Sequence, residues 1–264
     1  MNNKTGNSNN KRNIKMVLQY DGSGYAGWQR LGVITGKRPI QSVVEECLSN
    51  YLRQDIKVIG SGRTDAGVHA LGQVANFYCD IGLSVDDMLK ELNKRLPEDI
   101  RVLLLNEADQ EFHSRFCAKL KTYEYRIATG EAQSVFTRKY TLHVPEPLNV
   151  TAMKKASEYL LGTRDFKAFS TDRKDGKTTV RTIEGIQIVK INPLHNKSSE
   201  EIRIAITGDG FLYNMVRIII GTLIETGKGI RPPEDMIKVL EGKDRQLAGI
   251  TVSSQGLFLL NVSY

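Results

Sequence analysis

The chain has 264 residues, 40% hydrophobic and 25% charged, enough apolar material for one large domain or two small ones at roughly 150 residues each. Its formal net charge of +7 is compatible with a polyanionic partner such as nucleic acid, although many unrelated proteins are as basic. Arg217 interrupts the densest apolar stretch, residues 215–224, which excludes a membrane-spanning helix; the three cysteines, Cys47, Cys79 and Cys117, form no CxxC pair, exclude a disulfide scaffold and suit a reducing cytosol.

Residues 1–13 lack the apolar segment of a secretory signal and read as a disordered basic tail. Ile14, Met16, Leu18 and Tyr20 then alternate with Lys15 and Gln19, the period of a half-buried strand. Ser42 and Glu45 have capping-box spacing, and behind them Val44, Cys47, Leu48, Tyr51 and Leu52 share one helical face. Residues 56–59 read as a short strand entering a glycine-rich loop, and 73–79 as another strand. A helix is expected over 84–96, with Ser84 as N-cap, Met88, Leu89, Leu92 and Leu96 on one side and Pro97 as terminator. Residues 100–105 close the set as a strand. The order β-α-β-β-α-β is the plan of a ferredoxin-like domain.

The order then recurs. A strand is expected over 121–128, a helix over 151–161, and strands over 182–191 and 201–207 separated by a polar turn at 193–199. A helix over 211–226, a second over 234–241 with Gly242 as C-cap, and a strand over 257–264 complete it. The expected fold is α+β: two ferredoxin-like, RRM-like halves side by side with a central active-site cleft, the first over residues 14–110 and the second over 111–264.

Several chemistries are excluded by their missing signatures. Gly60-Ser61-Gly62-Arg63-Thr64-Asp65 begins like a dinucleotide-binding fingerprint but lacks the third glycine, and neither a P-loop nor a nucleophile elbow occurs. His69, His113, His143 and His195 have no metal-ligand spacing, so neither a nucleotide cofactor nor a metal is expected. Three groups of residues remain. Between Gly60 and His69, three glycines permit close backbone approach around Arg63 and Asp65; this is either a surface turn closed by an ion pair or a loop displaying a reactive carboxylate. Lys121, Tyr123 and Tyr125 share a strand face, either as core and interface side chains or as a surface on which bases stack, as in RRM domains. Arg217 lies inside the most apolar helix and needs an anionic partner there. That partner is either a structural carboxylate or Asp65, which Arg217 would keep ionised against desolvation, as nucleophilic catalysis requires.

Together these motifs resemble the tRNA pseudouridine synthase A family over about residues 14–264. The match includes Tyr20-Asp21-Gly22-Ser23, Gly27-Trp28-Gln29-Arg30, Gly62-Arg63-Thr64-Asp65-Ala66-Gly67-Val68-His69 and Gly72-Gln73-Val74. Further on it takes in Phe112-His113-Ser114-Arg115-Phe116, Lys121-Thr122-Tyr123-Glu124-Tyr125, Asp165-Phe166, Arg181-Thr182, Asn214-Met215-Val216-Arg217 and Gly256-Leu257. The resemblance implies an isomerase that converts uridine to pseudouridine at positions 38–40 of the tRNA anticodon stem-loop, as a cytoplasmic homodimer without cofactor or metal. It implies that Asp65 is the catalytic aspartate, that Tyr123 stacks on the target base, that Arg217 pairs with Asp65 and that Leu257 packs beneath the uracil. Arg63 would help displace the target nucleotide, and His69, Arg115 and Lys121 would contact RNA. Thr251-Val252-Ser253-Ser254-Gln255 departs from the Ala-Pro-containing run that the family often has there. A non-catalytic RNA-binding or tRNA-chaperone protein on the same fold is the alternative, against which the intact Asp65, Tyr123 and Arg217 set weighs.

Overall fold

The structure, a computed structural model, describes residues 11–29, 36–80, 82–171, 178–191 and 200–264. The chain divides into two units, one of residues up to 66 with 70–118, the other of residues 67–69 with 119–264. Residues 1–10 of the expected tail and the expected turn at 193–199 lie outside the described residues. Arg12 and Asn13, expected in the tail, are instead the first residues of a strand. Asn13 stands opposite Tyr78 and Ala108 and donates from its side chain to the carbonyls of Asp109 and Phe112, each at 2.8 Å.

The first unit contains β1 (Arg12–Tyr20), α1 (Ile40–Leu52), β2 (Ile59–Gly60), β3 (His69–Cys79, apart from its first residue), α2 (Val85–Arg95) and β4 (Ile100–Ala108). β1 lies antiparallel between β4 and β3, with Met16 opposite Leu105 and Ala75, and β2 pairs with β3 at Ile59 and Asn76. The order β4-β1-β3-β2 is that of a ferredoxin-like sheet, in which each helix connects two strands separated by a third. Ile14, Met16, Leu18 and Tyr20 are buried, as are Val44 and Leu48 of α1 and Met88 and Leu92 of α2.

α1 begins before Ser42, so the expected capping box does not form. Pro39 occupies the N-cap position without a side-chain bond, and the N–H groups of Ile40 and Gln41 donate to the Gly27 and Trp28 carbonyls at 3.0 Å each. Glu45 instead accepts the Val58 N–H at 2.9 Å, and Ser49 Oγ accepts that of Ile56 at 3.0 Å. Those bonds divert donors from a strand ladder, which is why the strand expected over 56–59 shrinks to Ile59 and Gly60. α2 follows expectation: Ser84 Oγ accepts the Asp87 N–H at 3.1 Å, with Asp86 and Asp87 in the first turn and Lys94 and Arg95 in the last.

The second unit contains β5 (Leu120–Thr129), β6 (Leu142–Val144), α3 (Val150–Glu158), β7 (Gly162–Asp165), β8 (Val180–Ile191), β9 (Glu200–Gly208), α4 (Met215–Gly227), α5 (Asp235–Gly242) and β10 (Leu257–Ser263). The antiparallel order β10-β5-β9-β8 repeats the plan of the first unit, and this α+β arrangement is the expected one. β7 extends the sheet beyond β8, and β6 runs parallel to β5; both are too short to show a period in the sequence.

Three helix boundaries differ from expectation. α4 starts at Met215, because Asn214 has φ 62, a left-handed conformation that a right-handed helix cannot include. α5 includes Gly242, and Lys243 takes the left-handed cap with φ 51; a β-carbon at 242 would collide with the Leu247 side chain. α3 ends at Glu158, since Leu160 and Leu161 donate three residues back, to Ser157 and Glu158, and so tighten the last turn. Among the described residues no helix is long and apolar enough to cross a membrane.

Candidate active site

In the first unit, the loop between β2 and β3 is built from behind. The Trp28 N–H donates to the Thr64 carbonyl at 3.0 Å. Gly27, at φ 93, lies so close beneath that a β-carbon would fall on the Thr64 oxygen and 2.9 Å from the Asp65 carbonyl carbon. Tyr20 Oη and Thr64 Oγ1 share a hydrogen bond of 2.8 Å, and the Tyr20 and Trp28 rings pack 6.1 Å apart. Burial pushes the Tyr20 phenol far above its ordinary range, with the Thr64 and Gln73 side chains pulling the other way, so it stays a neutral hydroxyl. Gly60 gives room for the Trp28 indole, whose Cε2 would lie 2.6 Å from a β-carbon there.

Ser61 Oγ donates to Gln73 Oε1 at 2.7 Å, and the Gln73 amide donates to the Gly62 carbonyl at 3.1 Å. Asp65 comes half-buried off this fixed backbone. Arg63 is exposed, its Nε donating to Gln29 Oε1 at 2.7 Å.

In the second unit, Tyr123 lies on β5 between Leu259 of β10 and Ile206 of β9 and is 7% exposed. The Phe211 ring meets it edge-on, centroids 5.2 Å apart at 84°. Tyr125, two residues on, is fully buried and donates from its hydroxyl to the Ser253 carbonyl at 2.7 Å. Burial raises its pKa to about 12, with the Ser253 bond and the nearby Arg217 charge acting in the opposite sense. Arg217, near the start of α4, donates from Nε to the Val252 carbonyl at 2.7 Å and from Nη1 to Asn214 Oδ1 at 2.8 Å. Asn214 in turn donates to Thr171 Oγ1 at 2.9 Å, so its side-chain amide bridges Thr171 and the Arg217 guanidinium.

Leu257 opens β10 opposite Tyr125 and is buried. Gly256 is required before it, since a β-carbon would lie 2.7 Å from the Arg126 carbonyl and 2.9 Å from the Tyr125 ring. The 251–255 segment that departs from the family pattern takes part here through the backbone oxygens of Val252 and Ser253, which many side-chain sequences can present.

Lys121 is half-buried on β5, opposite Val262 and Gly208, and Arg115 is exposed in a turn. His69 is 1% exposed. Its ring stacks on Phe258 at 4.7 Å and meets Tyr140 at 5.2 Å, and Nε2 lies 3.1 Å from the Gln255 carbonyl.

The second unit thus holds Tyr123, Arg217 and Leu257, and the first holds Arg63 and Asp65. Sequence reasoning assigned no role to Trp28, Gln73, Phe211 or Asn214, and it weighed Tyr125 as a stacking surface although the side chain is fully buried. Only Asn214 carried a local signal, an asparagine immediately before an apolar helical run. Among the described residues no three His, Cys, Asp or Glu side chains gather as a metal-ligand set.

The family described as tRNA pseudouridine synthase matches residues 16–117 and 156–264. A protein named tRNA pseudouridine synthase A from Bacillus sp. (strain KSM-64) is 45% identical over 252 residues, covering 96% of this chain and 99% of the relative. One named tRNA pseudouridine synthase A 2 from Clostridium tetani is 43% identical over 253 residues, with 96% and 99% covered. A tRNA pseudouridine synthase A from Acetivibrio thermocellus is 39% identical over 253 residues, with 96% and 100% covered.

Proposed function

The chain belongs to the tRNA pseudouridine synthase family, isomerising uridine to pseudouridine in tRNA, and from that premise we propose that it acts at positions 38–40 of the anticodon stem-loop with Asp65 as the catalytic carboxylate. The observation that carries the residue assignment is the construction of the loop. Trp28, Gly27, Tyr20 and Gln73 hold its backbone from behind, and Asp65 is the single acidic side chain between Gly60 and His69. A carboxylate on a backbone that does not need to reorganise is what preorganised catalysis requires.

The reaction breaks the C1′–N1 bond, turns the uracil, and joins C1′ to C5; the C5 proton is lost and N1 gains one, so no co-reactant is consumed. Asp65 acts as base or nucleophile in the cleavage and takes the C5 proton as general base. The target base must first leave its stack, at a cost of a few kcal/mol. Stacking on Tyr123, packing on Leu257 and entry of Arg63 into the vacated position offset that cost. Arg217, oriented by Val252 and Asn214, pairs with Asp65 and keeps it ionised. Arg115 and Lys121 meet phosphates. His69, whose ring stacks on Phe258 and lies 3.1 Å from the Gln255 carbonyl, we assign to the positioning of the chain after Asp65 in place of a direct RNA contact. The enzyme works as a cytoplasmic homodimer without cofactor or metal.

The test is to incubate the protein with an unmodified tRNA transcript and map pseudouridine by carbodiimide treatment and primer extension. Stops at 38–40 are expected, and Asp65→Asn should abolish them while binding tRNA within about twofold of wild type, because the substitution leaves the phosphate contacts in place. Stops elsewhere in the tRNA would overturn the positional assignment, and activity in Asp65→Asn would overturn the catalytic one. Retained binding without any stops would leave a non-catalytic RNA-binding protein.

A further inference from the structure

The turn over residues 112–117 in the first unit holds an aromatic pair that none of the roles assigned so far uses. His113 Nδ1 accepts the N–H of Arg115 at 3.2 Å and that of Phe116 at 3.3 Å, and the Cys117 N–H donates to the His113 carbonyl at 2.9 Å. The imidazole stacks against the Phe116 ring, centroids 4.2 Å apart at 28°. The turn is fastened to the sheet by Ser114, whose N–H donates to Asn76 Oδ1 at 2.9 Å and whose hydroxyl donates to the Ile59 carbonyl at 2.5 Å. The Phe112 carbonyl accepts the Asn13 amide at 2.8 Å.

Despite this scaffold, Phe116 is 78% exposed. One face of the ring is covered by His113, so the exposed surface is its other face and its edge. Within five residues of Phe116, Arg115, Lys119 and Lys121 stand against Glu111 alone, and Arg115 and Lys119 are exposed. An aromatic face held in place, with cations in excess near it in the chain, fits an unpaired nucleobase: the ring stacks on the base while the cations meet phosphates. An apolar protein surface would leave the exposed Arg115 beside the ring without an anion, whereas a nucleic acid supplies one.

We propose that Phe116, backed by His113, stacks on an unpaired nucleobase of the tRNA, distinct from the target base assigned to Tyr123. The proposal rests on the tRNA reading made under the proposed function and extends it to a second stacking position.

The experiment measures KM, kcat and tRNA affinity for the full chain and for Phe116→Ala, Phe116→Leu, Phe116→Trp and His113→Ala. Phe116→Ala and Phe116→Leu should weaken tRNA binding and raise KM by about tenfold, the range of one lost base–aromatic stack. In both, kcat should stay within about twofold, because a stack made equally in ground and transition states affects binding and not turnover. Phe116→Trp should restore affinity, and His113→Ala should fall between the extremes. The loss in Phe116→Ala should persist at high salt, where phosphate contacts are screened.

Wild-type affinity in Phe116→Ala, or no rescue by tryptophan, overturns the proposal. So does a change of sedimentation in Phe116→Ala, which would place the ring in a contact between copies of the chain. If wild type modifies 38–40 and Phe116→Ala binds normally, only this inference falls. If wild type modifies a different tRNA uridine, the positional reading falls and the binding comparison at Phe116 still stands.

Discussion

Arg217 and Tyr125 hold one short stretch of chain from two sides, the first at the Val252 carbonyl and the second at that of Ser253. The stretch leads directly into Leu257, so both residues set where β10 begins. Neither role was legible in the sequence. Arg217 drew attention as a charge in an apolar run, whereas Tyr125 looked like a second stacking candidate and is fully buried. Its phenol has a folded pKa of about 12 against roughly 10 unfolded, so the native state binds the proton more tightly. The stability this contributes is fully present below about pH 10 and is lost as pH rises through about 12. Tyr125→Phe, which also loses the Ser253 bond, should be less stable by about 1 kcal/mol at neutral pH. The gap from wild type in urea unfolding should narrow between pH 8 and pH 11; a constant gap would show that the hydroxyl does not titrate with folding.

At the scale of elements, two serines that both looked like N-caps behave differently. Ser84 caps α2, and Ser42 lies exposed inside α1, whose first donors are taken by Gly27 and Trp28. Ser84→Ala should cost about 1 kcal/mol, and Ser42→Ala should be neutral or stabilising by up to about 0.5 kcal/mol, as alanine is the better helix former. Urea denaturation of the two variants separates them, and equal losses would restore the capping box. The contrast has a physical origin. Donors at the start of a helix need acceptors, and for α1 the acceptors come from residues 27 and 28, more than ten positions back in the chain. The same carbonyls belong to the segment that braces the Thr64–Asp65 backbone, so α1 and the candidate catalytic loop share a support.

At the scale of the molecule, two units of the same ferredoxin-like order are built from unlike sequences, and the chain carries a formal charge of +7. For a tRNA-modifying enzyme that charge predicts steeply salt-dependent binding, because each neutralised phosphate releases counterions. Arg115→Ala should weaken binding of every tRNA alike and reduce the slope of log affinity against log salt by about one. Asp65→Asn should leave the slope unchanged. Filter binding across a salt series checks both, and an unaltered slope in Arg115→Ala would remove that residue from the phosphate contacts.

By itself the sequence determined the alternation of strands and helices in both units and the N-cap at Ser84, and it singled out the loop from Gly60 to His69 as the place we propose for the chemistry. Those features depend on periodicity, local capping and short motifs, which the chain expresses over a few consecutive residues. Only the tertiary structure decided what stands behind the loop, why β2 is two residues long, why α4 begins after a left-handed Asn214, and that His69 is buried while Phe116 is not. Each of these depends on partners far apart in the chain: Trp28 with Thr64, Glu45 with Val58, Arg217 with Val252, His69 with Phe258. A hydrogen-bond donor, or the face of a ring, finds its partner through the fold, and the distance between them along the chain does not show which pairs will meet.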